Sequence, residues 1–229
     1  MRRLLLVLLL VSGCGARGTS DTTVTVFAAA SLRAAFTAEA EAFEREHPGT
    51  HVALSFAGSQ SLAAQVQQGA PADVLATADL ATIARVRGDL RGDPEVFAHN
   101  QLAIVTAPGN PEQVTSLSDL DRPGLRVVLA APSVPVGKAA VAVLAAAGIS
   151  VQPVSLEDSV SGVVGKVRLG EADAGIAYVT DLGHAVAGAP LAGTRTDLAI
   201  AALTEGGEPF VAFVRSPAGQ QILRDHAFL

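Results

Sequence analysis

The side chains best placed to do chemistry together in this 229-residue chain carry hydroxyls rather than charges. Ser31 follows the run FAAA, where a strand-like stretch shrinks to methyl groups just before a helical pattern begins. Ser59 repeats the arrangement in FAGSQSLAAQV, and Tyr178, the one tyrosine, stands in GIAYVTD. A serine ahead of a helix accepts from an orphan first-turn N–H, and that role alone accounts for either serine. A lone tyrosine in a strand is most often a core residue with a satisfied hydroxyl. Two passages from strand through serine to helix carry a second meaning. First-turn N–H groups, a hydroxyl and the positive end of a helix dipole together attract an anion.

Other chemistries lack their parts. There is no G-x-S-x-G elbow, and no histidine sits in a motif: His47 and His51 flank a Pro-Gly turn, while His99, His184 and His226 read as surface or terminal positions. No spacing of His, Cys and carboxylates suggests a metal site. Asp73 and Asp79, in PADVLATAD, read as turn caps rather than an acid–base pair. Lys138 in VPVGKA briefly resembles a phosphate loop, but Pro132 stands where that motif needs Gly and Ala139 where it needs Ser or Thr. It reads as a solvated helix start. The expectation is a binding protein, not an enzyme, with no cofactor.

The elements that must hold these residues alternate. Val24, Val26 and Ala28 alternate on a first strand, and Phe36, Ala40 and Phe43 follow at helical spacing. Val52, Leu54 and Phe56 mark a second strand, with a helix from about Ser59 to a terminating Gly69. DVLATAD is a third strand, followed by a helix near residues 80–86. NQLAIVTAP, GLRVVLAAP and AGIAYVTD read as further strands; between them lie a short helix and turn in SLSDLDRPG and helices in VGKAAVAVLAAAGI and DSVSGVVGKVRLGEA. LAIAALTEGG is a last strand, and a final helix starts at Ser216 and Pro217. Strands separated by helices predict an α/β protein with mostly parallel sheets. The element count suits two lobes: 23–101 plus 202–229, and 102–201. No repeat of fixed period is visible.

Arg2 and Arg3 precede LLLVLLLV, a basic-then-apolar start too short to span a membrane, so 1–13 reads as a signal peptide. VSGC resembles a bacterial lipobox ending at Cys14, the sole cysteine, with 14–22 as a polar tether. That places the mature protein outside the cytoplasmic membrane, held by a lipid on Cys14. Without Arg2 and Arg3, 14 basic side chains face 22 acidic ones, a formal charge of −8. With no basic cluster, nucleic acid is not an expected partner, and any anion must be held by local dipoles rather than by the overall field.

FAAASL, FAGSQSLA, GAPADVLATAD, APSVPVGKAA and GIAYVTD, in that order, resemble the signature stretches of the molybdate-binding proteins of ABC transporters, and the resemblance spans essentially the whole mature chain. It implies a two-lobed periplasmic binding protein fold that closes on a tetrahedral oxyanion, with a membrane permease as partner and the protein acting as a monomer. Carried onto this sequence, Ser31 and Ser59 would each offer a hydroxyl and a backbone N–H. Val136 and Val160 would offer backbone N–H groups, and Tyr178 its hydroxyl. Molybdenum would enter only within molybdate, or tungsten within tungstate, with no protein atom ligating the metal. Two departures stand out: Val136 and Ala139 replace the usual Ala and Tyr, and Ser161 replaces an Arg. The alternatives on the same fold are sulfate, phosphate, a ferric carrier and a small organic acid. One tyrosine is too few for a ferric carrier, and the site stretches hold no Arg to clamp a carboxylate except Arg33, one turn inside a helix.

Overall fold

The computed structural model describes residues 22–182 and 186–229; the leader, Cys14, nearly all of the tether and His184 lie outside the described residues. The strands are β1 (Thr22–Ala29), β2 (Thr50–Ala57), β3 (Val74–Thr77), β4 (Glu95–Asn100), β5 (Leu102–Thr106), β6 (Val127–Ala130), β7 (Ser155–Glu157), β8 (Ala174–Tyr178), β9 (Ala187–Pro190) and β10 (Thr196–Ala202). The helices are α1 (Arg33–Glu46), α2 (Ser59–Gln67), α3 (Leu80–Ile83), α4 (Pro135–Ala146), α5 (Val160–Arg168), α6 (Glu208–Arg215) and α7 (Pro217–Asp225).

Two five-stranded sheets form, in the orders β2-β1-β3-β10-β4 and β7-β6-β8-β5-β9. Each is mixed rather than mostly parallel. β1 runs parallel to β2 and β3, and β6 parallel to β7 and β8. β10 and β5, the strands that arrive from the other lobe, insert antiparallel. A short connection demands this, since a strand entering from the far side of the cleft runs against the strands that end there. β10 pairs with β3 and β4, so the second passage between sheets lies at 191–195, ahead of the position near 201 expected from the sequence.

The register of β1 with β2 is what places the serines. The two strands pair in parallel from Thr22 opposite Thr50 to Ala29 opposite Ala57. Ser31 and Ser59 each lie two residues beyond that level end, so the strands deliver them to the same end of the sheet.

Helices cover both faces of the first sheet. On one, Phe36 and Phe43 of α1 meet Phe210 edge-on at 5.9 and 5.4 Å, while Phe97 and Phe213 complete the cluster. On the other, Leu62, Leu75, Ile83 and Val86 pack together. The second lobe buries an aliphatic core around Ile104, Val128, Val163 and Ile176, to which Tyr178 belongs. The passages between lobes are tied to each other: Gln101 Nε2 donates to the Leu191 carbonyl at 2.9 Å and the Leu102 N–H to Thr194 Oγ1 at 3.0 Å.

Candidate anion-binding site

All three parallel strands of each sheet end on one cavity. Past β1 come Ala30 and Ser31, past β2 Gly58 and Ser59, and past β3 Ala78. From the other lobe, β6 leads to Val134, Pro135 and Val136, β7 to Val160, and β8 to Tyr178. The five residues expected from the sequence, Ser31, Ser59, Val136, Val160 and Tyr178, all line this space. Such convergence at strand carboxyl ends is where open α/β sheets hold ligands.

The hydroxyls are not used as helix caps. Ser31 lies inside a tight 3-10 turn, Ala30–Leu32, that leads into α1; no side chain caps that turn. Its Oγ is buried and has no hydrogen-bond partner. Ser59 is the first residue of α2 behind an N-cap at Gly58. Its Oγ accepts from the Ala78 N–H at 3.0 Å, which leaves its proton free for the cavity. Tyr178 is 1% exposed, and its hydroxyl also lacks a partner. Burial, then the Asp181 and Asp79 carboxylates, push that phenol's pKa up, so it stays protonated and able to donate. Thr196 opposes the shift, yet neither hydroxyl makes a bond of acceptable geometry with the other. Unpaired buried hydroxyls cost free energy unless a guest satisfies them.

Backbone donors add to the hydroxyls. Val160 is the first residue of α5, behind the N-cap Ser159, whose Oγ accepts from the Gly162 N–H at 3.3 Å. Val136 is the second residue of α4, after Pro135. First-turn N–H groups have no acceptor inside their own helix, so α2, α4 and α5 all turn donors and dipole ends toward the cavity. Gly137 lets α4 approach so closely: a Cβ there would sit 2.1 Å from the Ala131 carbonyl oxygen. The remaining walls, Ala29, Ala30, Ala78, Val134 and Pro135, are apolar, and no ionisable side chain other than the Tyr178 phenol lines the space. The cavity measures about 20 Å³, where a single water needs roughly 10–15 Å³. It suits a compact ion and not an extended organic molecule.

Other residues singled out in the sequence take structural posts. Asp79 caps α3, accepting from the Thr82 N–H at 2.7 Å. Asp73 accepts from the Thr25 N–H and the Thr204 hydroxyl, tying the start of β3 to β1 and to the segment after β10. Lys138 is exposed on α4, and Ser161 is exposed on α5, away from the cavity lining. Ala139 lines a neighbouring groove. His47, His51, His99 and His226 bond to backbone carbonyls or carboxylates elsewhere. No cluster of three or more His, Cys, Asp or Glu occurs among the described residues. Gly58, Ala78 and Pro135 are lining residues that the sequence alone did not single out; their signal, small or stiff residues next to a strand end, is too common to read.

Residues 24–229 match the family model of the bacterial extracellular solute-binding proteins. The chain belongs to that family. A molybdate-binding protein, ModA, of Mycobacterium tuberculosis strain H37Rv is 46% identical over 218 residues, covering 90% of this chain and 84% of the relative. Among solved structures, the periplasmic molybdate-binding protein of Azotobacter vinelandii superposes with a TM-score of 0.76 at 20% identity, covering 90% of this chain and 98% of that one. The sulfate-binding protein SubI of Mycobacterium tuberculosis H37Rv gives 0.81 at 21% identity, over 90% and 86%. At such identities the two structures establish a shared two-lobed fold, in which this solute-binding protein sets its cavity between the lobes.

Proposed function

We propose that this protein captures molybdate outside the cytoplasmic membrane and delivers it to an ABC transporter. One observation carries the reading: three hydroxyls, two of them buried and unpartnered, meet helix N-termini from both lobes around a small cavity walled by no charged side chain. Ser31, Ser59 and Tyr178 donate through their hydroxyls, and Ser31, Ser59, Val136 and Val160 through their backbone N–H groups. The 46%-identical molybdate-binding relative supports the choice of anion.

The chemistry of the donor set narrows the guest. Every polar group facing the cavity has a proton to give, so a fully deprotonated tetrahedral anion is matched. A guest bearing its own proton finds no dedicated acceptor, which disfavours phosphate near neutral pH. Tungstate fits by the same argument. Hydrogen bonds to a charged group contribute about 1.5–3 kcal/mol each, and apolar walls keep water from screening them. No cation is required. A small organic acid is disfavoured by the absence of Arg from the lining.

The protein works by binding alone, with no covalent step and no cofactor. Its two lobes close on the anion, and the permease reads the closed form. The VSGC stretch supports lipid anchoring at Cys14, and the chain acts as a monomer. Calorimetric titration of the purified protein with molybdate, tungstate, sulfate and phosphate tests the reading. Molybdate and tungstate bind tightest; a preference for phosphate, or no heat with any of the four, overturns it.

A further inference from the structure

One contact crosses the cleft without touching the cavity. Gln60, the second residue of α2, donates from Nε2 to the Asp158 carbonyl at 2.7 Å. Gln60 belongs to the first lobe, and Asp158, in the loop between β7 and α5, to the second. The roles in this bond are fixed by chemistry, because a carbonyl oxygen accepts and only the amide nitrogen can donate to it. Each partner adjoins a proposed anion donor: Gln60 follows Ser59, and Asp158 lies two residues before Val160. The N-termini of α2 and α5 are therefore joined to each other directly above the place where both face the anion.

The surroundings are shaped for this contact. The Gln60 amide lies across Gly58, and a Cβ at Gly58 would come within 2.6 Å of Nε2 and 2.4 Å of the Asp158 carbonyl oxygen. Gly58 keeps an ordinary extended backbone, φ −60° and ψ 135°, so its want of a side chain serves the approach of the other lobe rather than a turn. Any larger residue would hold the lobes apart.

We infer that Gln60 is a positioning residue that latches the closed lobes over the bound anion and thereby sets its residence time. The inference rests on the anion site proposed above. Its donor and acceptor belong to different lobes, so the bond exists only when these two helix ends are together. An anion entering an open cleft does not meet it, while an anion leaving must wait for it to break. The latch therefore acts on the dissociation rate and leaves the association rate unchanged.

Gln60→Met keeps the length of the side chain and removes the donor, and Gln60→Glu sets a carboxylate against the Asp158 carbonyl. Exchange of radiolabelled molybdate on the purified protein reads dissociation, and rapid mixing followed by filter trapping reads association. The expected result is a dissociation rate roughly two- to tenfold faster in Gln60→Met and faster still in Gln60→Glu. The association rate and the melting temperature of the anion-free protein stay at wild-type values, which a merely structural residue would not allow. A dissociation rate in Gln60→Met equal to that of a wild-type protein that binds molybdate overturns the latch and leaves the anion site standing. Loss of melting temperature with both rates altered overturns it too, by making Gln60 a folding residue. A wild-type protein that binds no oxyanion overturns the anion site itself, and the latch falls with it.

Discussion

Replacing Tyr178 by Phe should move two properties in opposite directions. The substitution removes one oxygen and keeps the ring that belongs to the aliphatic core of the second lobe. With the lobes closed and no anion between them, that oxygen is buried without a partner, and an unsatisfied buried hydroxyl costs about 1–3 kcal/mol. Relieving about 1 kcal/mol of this favours the empty closed form over the open one roughly fivefold. In the proposed complex the same hydroxyl donates to the anion, a bond of about 1.5–3 kcal/mol, so molybdate affinity falls roughly 10- to 150-fold. Small-angle X-ray scattering of the anion-free protein reads the first quantity and titration calorimetry the second. Affinity within twofold of wild type would return Tyr178 to the core as a passive residue. An anion-free variant no more compact than wild type would show that its hydroxyl has a partner within the protein, against the geometry described above.

The two serines should part company under the same treatment. Ser31→Ala removes a hydroxyl with no other bond, so affinity drops at least about tenfold while stability holds. Ser59→Ala also strands the Ala78 N–H, and a loss of affinity comes with about 1–3 kcal/mol of destabilisation in urea unfolding; equal stability of the two variants would refute that bond. Glu39 of α1 is fully buried with neither carboxyl oxygen paired, and burial raises its pKa to about 8. The folded state thus holds a proton that the unfolded chain releases. Stability from this group is complete below pH 4.5, falls as pH rises toward 8 and then levels, a loss on the order of 5 kcal/mol. Glu39→Gln should flatten that decline in unfolding curves between pH 5 and pH 9, and a wild-type curve already as flat as the variant's would place the carboxyl in water.

Much of the site was legible because it sits where local signals are strong. Alternation on β1 and β2 fixed the strand ends, and the residues two positions beyond them follow by counting. Tyr178 carried no such signal of its own and was readable only through the stretch around it. Ser31 has two roles open to it by type: a serine before a helix is commonly a cap, and the intervening 3-10 turn that leaves its oxygen unpaired has no mark in the residues. Three strands escaped the pattern for separate reasons. β7 has three residues, β9 reads Ala-Gly-Ala-Pro, and β4 pairs with β10 across a register shift that breaks the alternation. The final helical stretch divides at Ser216, so α6 precedes the helix that begins at Pro217. The sheet to which β10 belongs had no local trace at all, since its partners lie about 100 residues or more upstream. Nor does the sequence betray the correspondence between lobes. The order β2-β1-β3 in one sheet matches β7-β6-β8 in the other, with Ser31, Ser59 and Ala78 answering Val136, Val160 and Tyr178, although no repeat is visible in the residues themselves.

The distribution of rings between the lobes gives the molecule a built-in reporter. All eight phenylalanines lie in the first lobe or against it, there is no tryptophan, and the single phenol belongs to the cavity wall. At the long-wavelength edge of the near ultraviolet, where phenylalanine no longer absorbs, absorption and emission therefore arise from one ring on the cavity wall. Occupancy of the cavity can be followed there by the light of that ring, with no dye attached and no tryptophan to subtract.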